Sequence, residues 1–260
     1  MTPTRGLAAP HPTPIKRNIT MDLLLPAHDY TLPNGALVWK ELEQGSWEWL
    51  QARAGIPTAS ELASLLVAGK GPNGLGAGAL TYAHTVAAEV LLGGPVSTFT
   101  GNAHTERGHD MEPELADNYA ILHGVDLDTV GFVRRGLFGY SPDREIVGRK
   151  GWLEVKAPQP AKVIGFLRDE GFPTDYRAQA LGALYGTDYE YVDLIAGARG
   201  LPECIRTLHH EAVQKEVAKI ADALERFNAY VQDTVAFVRN ISGDGPDAAA
   251  LVEGLPIAAE

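Results

Sequence analysis

Cysteine is almost missing from this chain of 260 residues: Cys204 stands alone, so one chain can form no internal disulfide and no four-cysteine zinc or iron–sulfur centre. That usage points to a cytoplasmic setting. Long apolar runs are missing as well. No stretch approaches the length that crosses a bilayer, which argues against a membrane partner, and the opening "MTPTRGLAAPHPTPIKRNIT" lacks the apolar centre of a secretory signal. "MDLLLPA" at 21–27 is too short to serve. Positive charge is scarce: 22 Lys and Arg against 33 Asp and Glu leave a formal net charge of −11. A protein that coats nucleic acid indiscriminately usually carries the opposite balance. Internal repeats and sustained low-complexity segments are also absent.

What is present suits one domain, since a chain of this length with 45% hydrophobic residues can bury a sizeable core. Residues 1–22, rich in proline and threonine, read as a flexible segment, 23–241 as the folded domain, and 242–260 as a flexible acidic tail. Charge is unevenly placed. Between Gly131 and Arg168 stand Arg134, Arg135, Arg144, Arg149, Lys150, Lys156, Lys162 and Arg168 against Asp143, Glu145 and Glu154 only, so this neighbourhood is locally basic in an acidic chain.

The periodicity predicts a helix in "GSWEWLQARAGI" and a capping box in "TASELASLL", with Thr58 and Glu61 ahead of Leu62, Leu65 and Leu66. "GKGPNGLGAGA" at 69–79 reads as a flexible connection: its lysine precedes the glycines, so it is not a phosphate-cradling P-loop. Helices follow at 79–92 and at 104–122, the second bent near Pro113. The period then shortens. "TVGFVRRG", "GLFGYSPD", "GWLEVKAP" and "YEYVDLIA" read as strands, with "TDYRAQALGALYG" a helix before the last. At 210–238, Val213, Val217, Ile220, Leu224, Phe227, Val231, Val235 and Val238 recur every three or four residues, the stripe of a long helix packed on the body. His104, His109, His123, His209 and His210 have no finger-like spacing and no cysteine beside them, which argues against zinc.

The chemistry concentrates in "GYSPDREIVGRKGWLEVKAP" at 139–158. Side chains alternate along a strand, so Glu154 and Lys156 share one face while Val155 points to the other. Asp143 reaches the same spot if "REIVGRKG" is a hairpin connection. Carboxylates converging on a partly buried point repel one another unless a cation sits between them. A hard divalent metal answers that cost; magnesium takes one or two carboxylates plus phosphate oxygens, which suits phosphodiester hydrolysis. The Val155 carbonyl would complete the shell, and Lys156 would orient the attacking water or stabilise charge on the phosphate. A bare Glu-x-Lys is equally the pattern of a salt bridge on an exposed strand.

Four collinear segments extend the pattern. "SPD" followed by "LEVKAP" resembles the PD-(D/E)XK nuclease signature. "WEWLQARAGIPTAS", "RGHDMEPELADNY" and "YRAQALGALYGTDYEYVDLI" resemble the Trp-x-x-x-Arg…Thr-Ala-Ser segment, the acid-bearing helix and the glutamine-bearing helix of the lambda-exonuclease-like, YqaJ-type viral recombinase family. The resemblance runs from about 45 to 195. It implies an α/β fold with a restriction-endonuclease-like core, a central mixed sheet flanked by helices.

It further implies that Glu112, Asp143 and Glu154 are metal ligands, that Lys156 is catalytic, that Gln179 lines the same site, and that Arg53, Ser60 and Ser141 hold a terminal 5′-phosphate. The implied activity is 5′-to-3′ degradation of one strand of linear double-stranded DNA from its end, leaving 3′ single-stranded overhangs for phage-type recombination. Two Mg2+ ions are implied, with Mn2+ able to substitute. So are a homotrimer, a single-strand annealing protein as partner, and action in the cytoplasm of a bacterial host. The rival readings are an endonuclease of the same superfamily acting on internal or branched DNA, and a non-catalytic DNA-end-binding recombination protein. Two positions depart from the family pattern: Arg144 stands where glycine usually follows the motif aspartate, and Pro113 follows Glu112, with Glu106 an alternative acid on that helix.

Overall fold

The structure, a computed structural model, describes residues 25–96 and 103–241, and for residues 103–110 the backbone alone. The segments 1–22 and 242–260, expected to be flexible, and the side chain of Glu106 lie outside the described residues. In chain order the elements are β1 (Tyr30–Thr31), β2 (Leu37–Trp39), α1 (Trp47–Arg53), α2 (Leu62–Leu66), α3 (Ala77–Leu92), α4 (Ala103–His123), β3 (Leu127–Asp128), β4 (Phe132–Arg135) and β5 (Phe138–Tyr140). Then come β6 (Arg144–Ile146), β7 (Gly151–Lys156), α5 (Pro160–Arg168), α6 (Thr174–Thr187), β8 (Tyr191–Ala196), β9 (Cys204–His209) and α7 (His210–Ile241). Among the described residues no helix is long and apolar enough to cross a membrane.

The strands form two sheets, not one. Antiparallel β1-β2-β4-β5 make the first, and β3-β6-β7-β8-β9 make the second, which is mixed because β7 and β8 run parallel. The alternation expected of "GWLEVKAP" sorts its residues between two packed layers. Leu153 and Val155 meet Leu115, Ala116 and Tyr119 of α4, while Trp152 joins the main core with Ala180 and Leu184 of α6. Helices therefore cover both faces of the mixed sheet, the α/β arrangement expected. The α7 stripe is buried as the spacing predicts from Val213 to Val235, but Val238 is 36% exposed.

Several local expectations are corrected. Residues 144–146 of "REIVGRKG" are strand β6, antiparallel to β7, so the connection proper is only 147–150. The short strands β1, β2, β3 and β9 and the helix α5 add elements that the periodicity did not announce. Thr58 precedes a 3-10 turn at Ala59–Glu61 and makes no capping bond; its hydroxyl is engaged with Arg53 and Ser60 instead. The glycine-rich loop is fastened rather than free, through Gly69 N–H to Gly74 O at 2.9 Å, Gly71 N–H to Leu75 O at 3.1 Å and Asn73 Nδ2 to the Arg226 carbonyl at 3.2 Å.

One close approach positions the site. A Cβ on Gly182 of α6 would lie 2.9 Å from Ala59 Cβ and 3.1 Å from Leu62 and Phe138 side-chain atoms, so only glycine lets α6 press against the turn carrying Thr58 and Ser60. Gly165 of α5, by contrast, has open space where a Cβ would go. Alanine is the better helix former by about 1 kcal/mol at either position, whereas overpacking costs about 1–3 kcal/mol. Gly165→Ala should therefore raise the melting temperature and Gly182→Ala should lower it, measured by thermal unfolding. A rise in both would contradict the packing described.

Candidate active site

The chain leaves the first sheet at Tyr140 and enters the second at Arg144, so Ser141, Pro142 and Asp143 bridge the two sheets. Pro142 stiffens this link through its fixed φ, and its carbonyl accepts from Gln44 Nε2 at 2.9 Å. Asp143 is thereby held at the edge of β7. Its Oδ2 accepts from the Val155 N–H at 2.7 Å and from Lys156 Nζ at 2.9 Å. The Lys156 carbonyl takes its bond from Gly197 on the β8 side, so by strand alternation the Val155 carbonyl opens towards the Asp143 edge.

Glu154, 1% exposed, lies on the α6 side. Its Oε2 lies 2.8 Å from Lys156 Nζ and accepts from Gln179 Nε2 at 2.8 Å, and its Oε1 accepts from the Tyr140 hydroxyl. Burial, reinforced by Asp143 and opposed by Lys156 and Tyr140, pushes the Glu154 carboxyl up to about 7. Burial works against the Lys156 ammonium, but Asp143 and Glu154 together hold its pKa above the ordinary lysine value. Burial and Glu154 raise the Tyr140 phenol well above its usual range, which keeps it a proton donor.

Asp143, Glu154, Lys156, Gln179 and Val155 are thus gathered as expected. Glu154 and Lys156 do form the ion pair of the alternative reading, at 2.8 Å, but with Glu154 buried rather than on an exposed strand. Glu112 sits half-buried on α4, the helix packed on β7 and β8. Yet among the described residues no three His, Cys, Asp or Glu side chains group closely enough to hold a metal ion. The convergence is of two carboxylates rather than three. One ammonium already bridges the pair, and a third carboxylate there would add repulsion without a matching cation.

A second cluster lies at the other end of the Ser141–Asp143 bridge. Arg53 donates from Nη1 to Ser141 Oγ at 3.0 Å and from Nη2 to Thr58 Oγ1 at 3.3 Å and Ser60 Oγ at 3.5 Å, while its guanidinium stacks 4.2 Å over the Trp49 ring. Trp49 Nε1 shares its one N–H between Ser141 Oγ at 3.0 Å and the Gly131 carbonyl at 3.2 Å, so Ser141 accepts from Arg53 and in part from Trp49, and its own hydrogen is left to donate. Among the described residues no carboxylate lies within ion-pair distance of Arg53, and burial draws its pKa down. A half-buried cation ringed by neutral hydroxyls suits an anion.

Arg53, Ser60 and Ser141 are therefore together, joined by Thr58, Trp49 and Tyr82, whose hydroxyl accepts from Thr58 N–H at 3.1 Å. Sequence reasoning missed these three and Tyr140. Thr58 was assigned to a cap, although its place two residues before Ser60 was a signal; so was Tyr140's place directly before Ser141.

Comparison with known proteins gives consistent results. The model of the YqaJ-like viral recombinase domain matches residues 48–190. Among solved structures, the alkaline exonuclease LHK-Exo from Laribacter hongkongensis is similar at 22% identity and TM-score 0.66, covering 76% of this chain and 98% of its own. The same protein in complex with dAMP gives 23% identity and TM-score 0.64, with the same coverage of 76% and 98%. A phage-related exonuclease from Haemophilus somnus 129PT gives 14% identity and TM-score 0.51, covering 69% of this chain and 96% of its own. No curated protein matches the chain.

The raised Glu154 carboxyl has a thermodynamic consequence. Its folded pKa of about 7 lies above the ordinary 4.5, so the stability associated with its protonated form is complete below about 4.5 and lost as pH rises through about 7. The span corresponds to a loss of about 3 kcal/mol. In chelator, the melting temperature of Glu154→Gln relative to wild type should therefore climb between pH 5 and pH 8. A difference that stays flat across that range would show that Glu154 titrates normally.

Proposed function

Because the chain belongs to the YqaJ-like viral recombinase domain family, we propose that it is a metal-dependent exonuclease that degrades one strand of linear duplex DNA from its 5′ end and leaves 3′ single-stranded overhangs. One observation carries this reading. The carboxylate–lysine cluster and the Arg53 pocket are tied to the two ends of the tripeptide Ser141–Asp143. Two residues of chain span at most about 7 Å, a distance suited to neighbouring phosphates of one strand. A terminal phosphate in the Arg53 pocket then presents the next phosphodiester to Asp143, Glu154 and Lys156. The similarity in fold to the alkaline exonuclease LHK-Exo and to a phage-related exonuclease supports the same reaction class.

The donor set fits a hard divalent cation, since every available atom is oxygen and the Lys156 ammonium already occupies the place between two carboxylates that a cation would share. Asp143, Glu154 and the Val155 carbonyl would hold it. Glu112 of α4, which does not group with that pair among the described residues, would join as the third carboxylate by moving towards the ion, whose charge would offset the added repulsion. Two magnesium ions, or manganese in their place, are the proposed complement. Such an ion supplies Lewis-acid polarisation of the phosphoryl oxygen and a water of lowered pKa. Lys156 orients the attacking water and stabilises charge developing on the phosphate. Gln179 and Tyr140 hold Glu154 in place, Tyr140 fully buried and Gln179 partly so. The proposed assembly is a homotrimer on the duplex that hands its product to a single-strand annealing protein in the host cytoplasm.

Linear DNA labelled separately at its 5′ and 3′ ends, beside a closed circle, tests the reading. Loss of the 5′ label first, with the circle intact, is expected; nicking of the circle would favour the endonuclease instead. Lys156→Ala should lower turnover by about 10²-fold or more while DNA binding persists, and cleavage within a few-fold of wild type would remove Lys156 from the chemistry. Wild type should digest 5′-phosphorylated ends about ten to a hundred times faster than 5′-hydroxyl ends, and Arg53→Ala should shrink that ratio. Equal rates on both ends in wild type would leave the Arg53 pocket without its assigned ligand.

A further inference from the structure

Resting on that reading, we propose that Arg144 binds a backbone phosphate of the strand being cut, immediately beyond the reacting one. Arg144 opens β6 directly after Asp143, and its Nη1 donates to the Asp143 carbonyl at 2.5 Å. That bond fixes the guanidinium against the Asp143 backbone without neutralising it, because a peptide carbonyl carries no net charge. Paired with Leu153, Arg144 leaves the sheet on the α4 face, around the edge from Glu154 and Lys156. Among the described residues no carboxylate lies within ion-pair distance of Arg144. Lys156, the other cation at this edge, is bridged to both Asp143 and Glu154. Lys40, Arg135, Lys162 and Arg177 likewise have carboxylate partners.

A guanidinium next to carboxylates destined for a metal ion would repel that ion unless an anion comes between them. An anion from outside the described residues would fill that place, and the local order points to which. Ser141 contributes to the terminal-phosphate pocket, Asp143 to the reacting centre, and Arg144 follows, three residues spanning at most about 11 Å. A DNA strand seated at Ser141 runs its successive phosphates along that line. The planar fork of arginine, with four further N–H donors, matches phosphate oxygens.

Such a contact is made equally before and during the reaction, so its loss weakens binding and leaves the chemical step alone. Arg144→Ala should raise KM about ten- to a hundredfold with kcat within a few-fold of wild type. In chelator, where binding is read without cleavage, its plot of log affinity against log salt should flatten by about 0.9, one phosphate contact on duplex DNA. Arg144→Lys should restore that slope, since it keeps the charge. Calorimetric metal affinity, measured without DNA, should not fall, since the lost cation only removes a repulsion.

Unchanged KM and slope in Arg144→Ala would overturn the proposal. So would a fall in kcat together with metal affinity, which would make Arg144 a brace on Asp143. If wild type binds DNA ends but cuts nothing, the nuclease reading fails while the salt slopes still decide whether Arg144 holds a phosphate.

Discussion

Two carboxylate oxygens, one from Asp143 and one from Glu154, each lie under 3 Å from the same lysine nitrogen and hence less than about 6 Å from each other. At an effective dielectric constant near 20, two like charges at that separation repel by about 3 kcal/mol, and the burial of Glu154 adds a desolvation cost. Every neighbour of the pair answers this strain. Lys156 supplies the charge, the Val155 N–H, Gln179 and Tyr140 supply donors, and Glu154 relieves what remains by holding a proton up to about neutral pH. A centre held in this way is poised for a cation, because a divalent ion would satisfy the carboxylates more fully than one ammonium does.

The folding of the rest of the chain serves that centre. The mixed sheet brings Glu154 and Lys156 to one face, and the bridge between the two sheets delivers Asp143 to the edge of the same strand. A second brace holds the sheets together away from the site. Glu145 of β6 accepts from the Tyr189 hydroxyl at 2.8 Å and lies 3.6 Å from Lys40 Nζ, while Lys40 also pairs with Asp128 at 2.5 Å. Glu145 is two residues beyond Asp143, so these contacts limit how far the Ser141–Asp143 bridge can drift. Pre-organisation of this kind lets side chains act on a phosphate without rearranging first.

The Arg53 pocket follows a different logic. Its cation makes no ion pair among the described residues, although Glu89 and Glu61 act on it from farther away; it is stacked on Trp49 and surrounded by hydroxyls that can turn their hydrogens towards a ligand. The carboxylate centre has the chemistry to take cations and this pocket that to take an anion. A DNA end with its metal ions offers both, and the short Ser141–Asp143 link sets their spacing.

Much of the centre was legible in the chain itself. The two-residue period of β7 placed Glu154 and Lys156 together, and collinear motifs named Arg53, Ser60, Ser141, Asp143 and Gln179 because those spacings are local or are repeated by the family. What the sequence could not convey was long-range. Thr58 serves Arg53 rather than a helix cap because α1 and the following turn fold onto Ser141, which lies 88 residues from Arg53. Tyr140 reaches Glu154 only because β5 ends where the sheets meet. The division of the strands between two sheets, the grouping of two carboxylates instead of three, and the half-shifted charge of Glu154 all depend on burial and on distances between elements remote in sequence. Periodicity determines which face a residue takes, but only tertiary packing decides what that face meets.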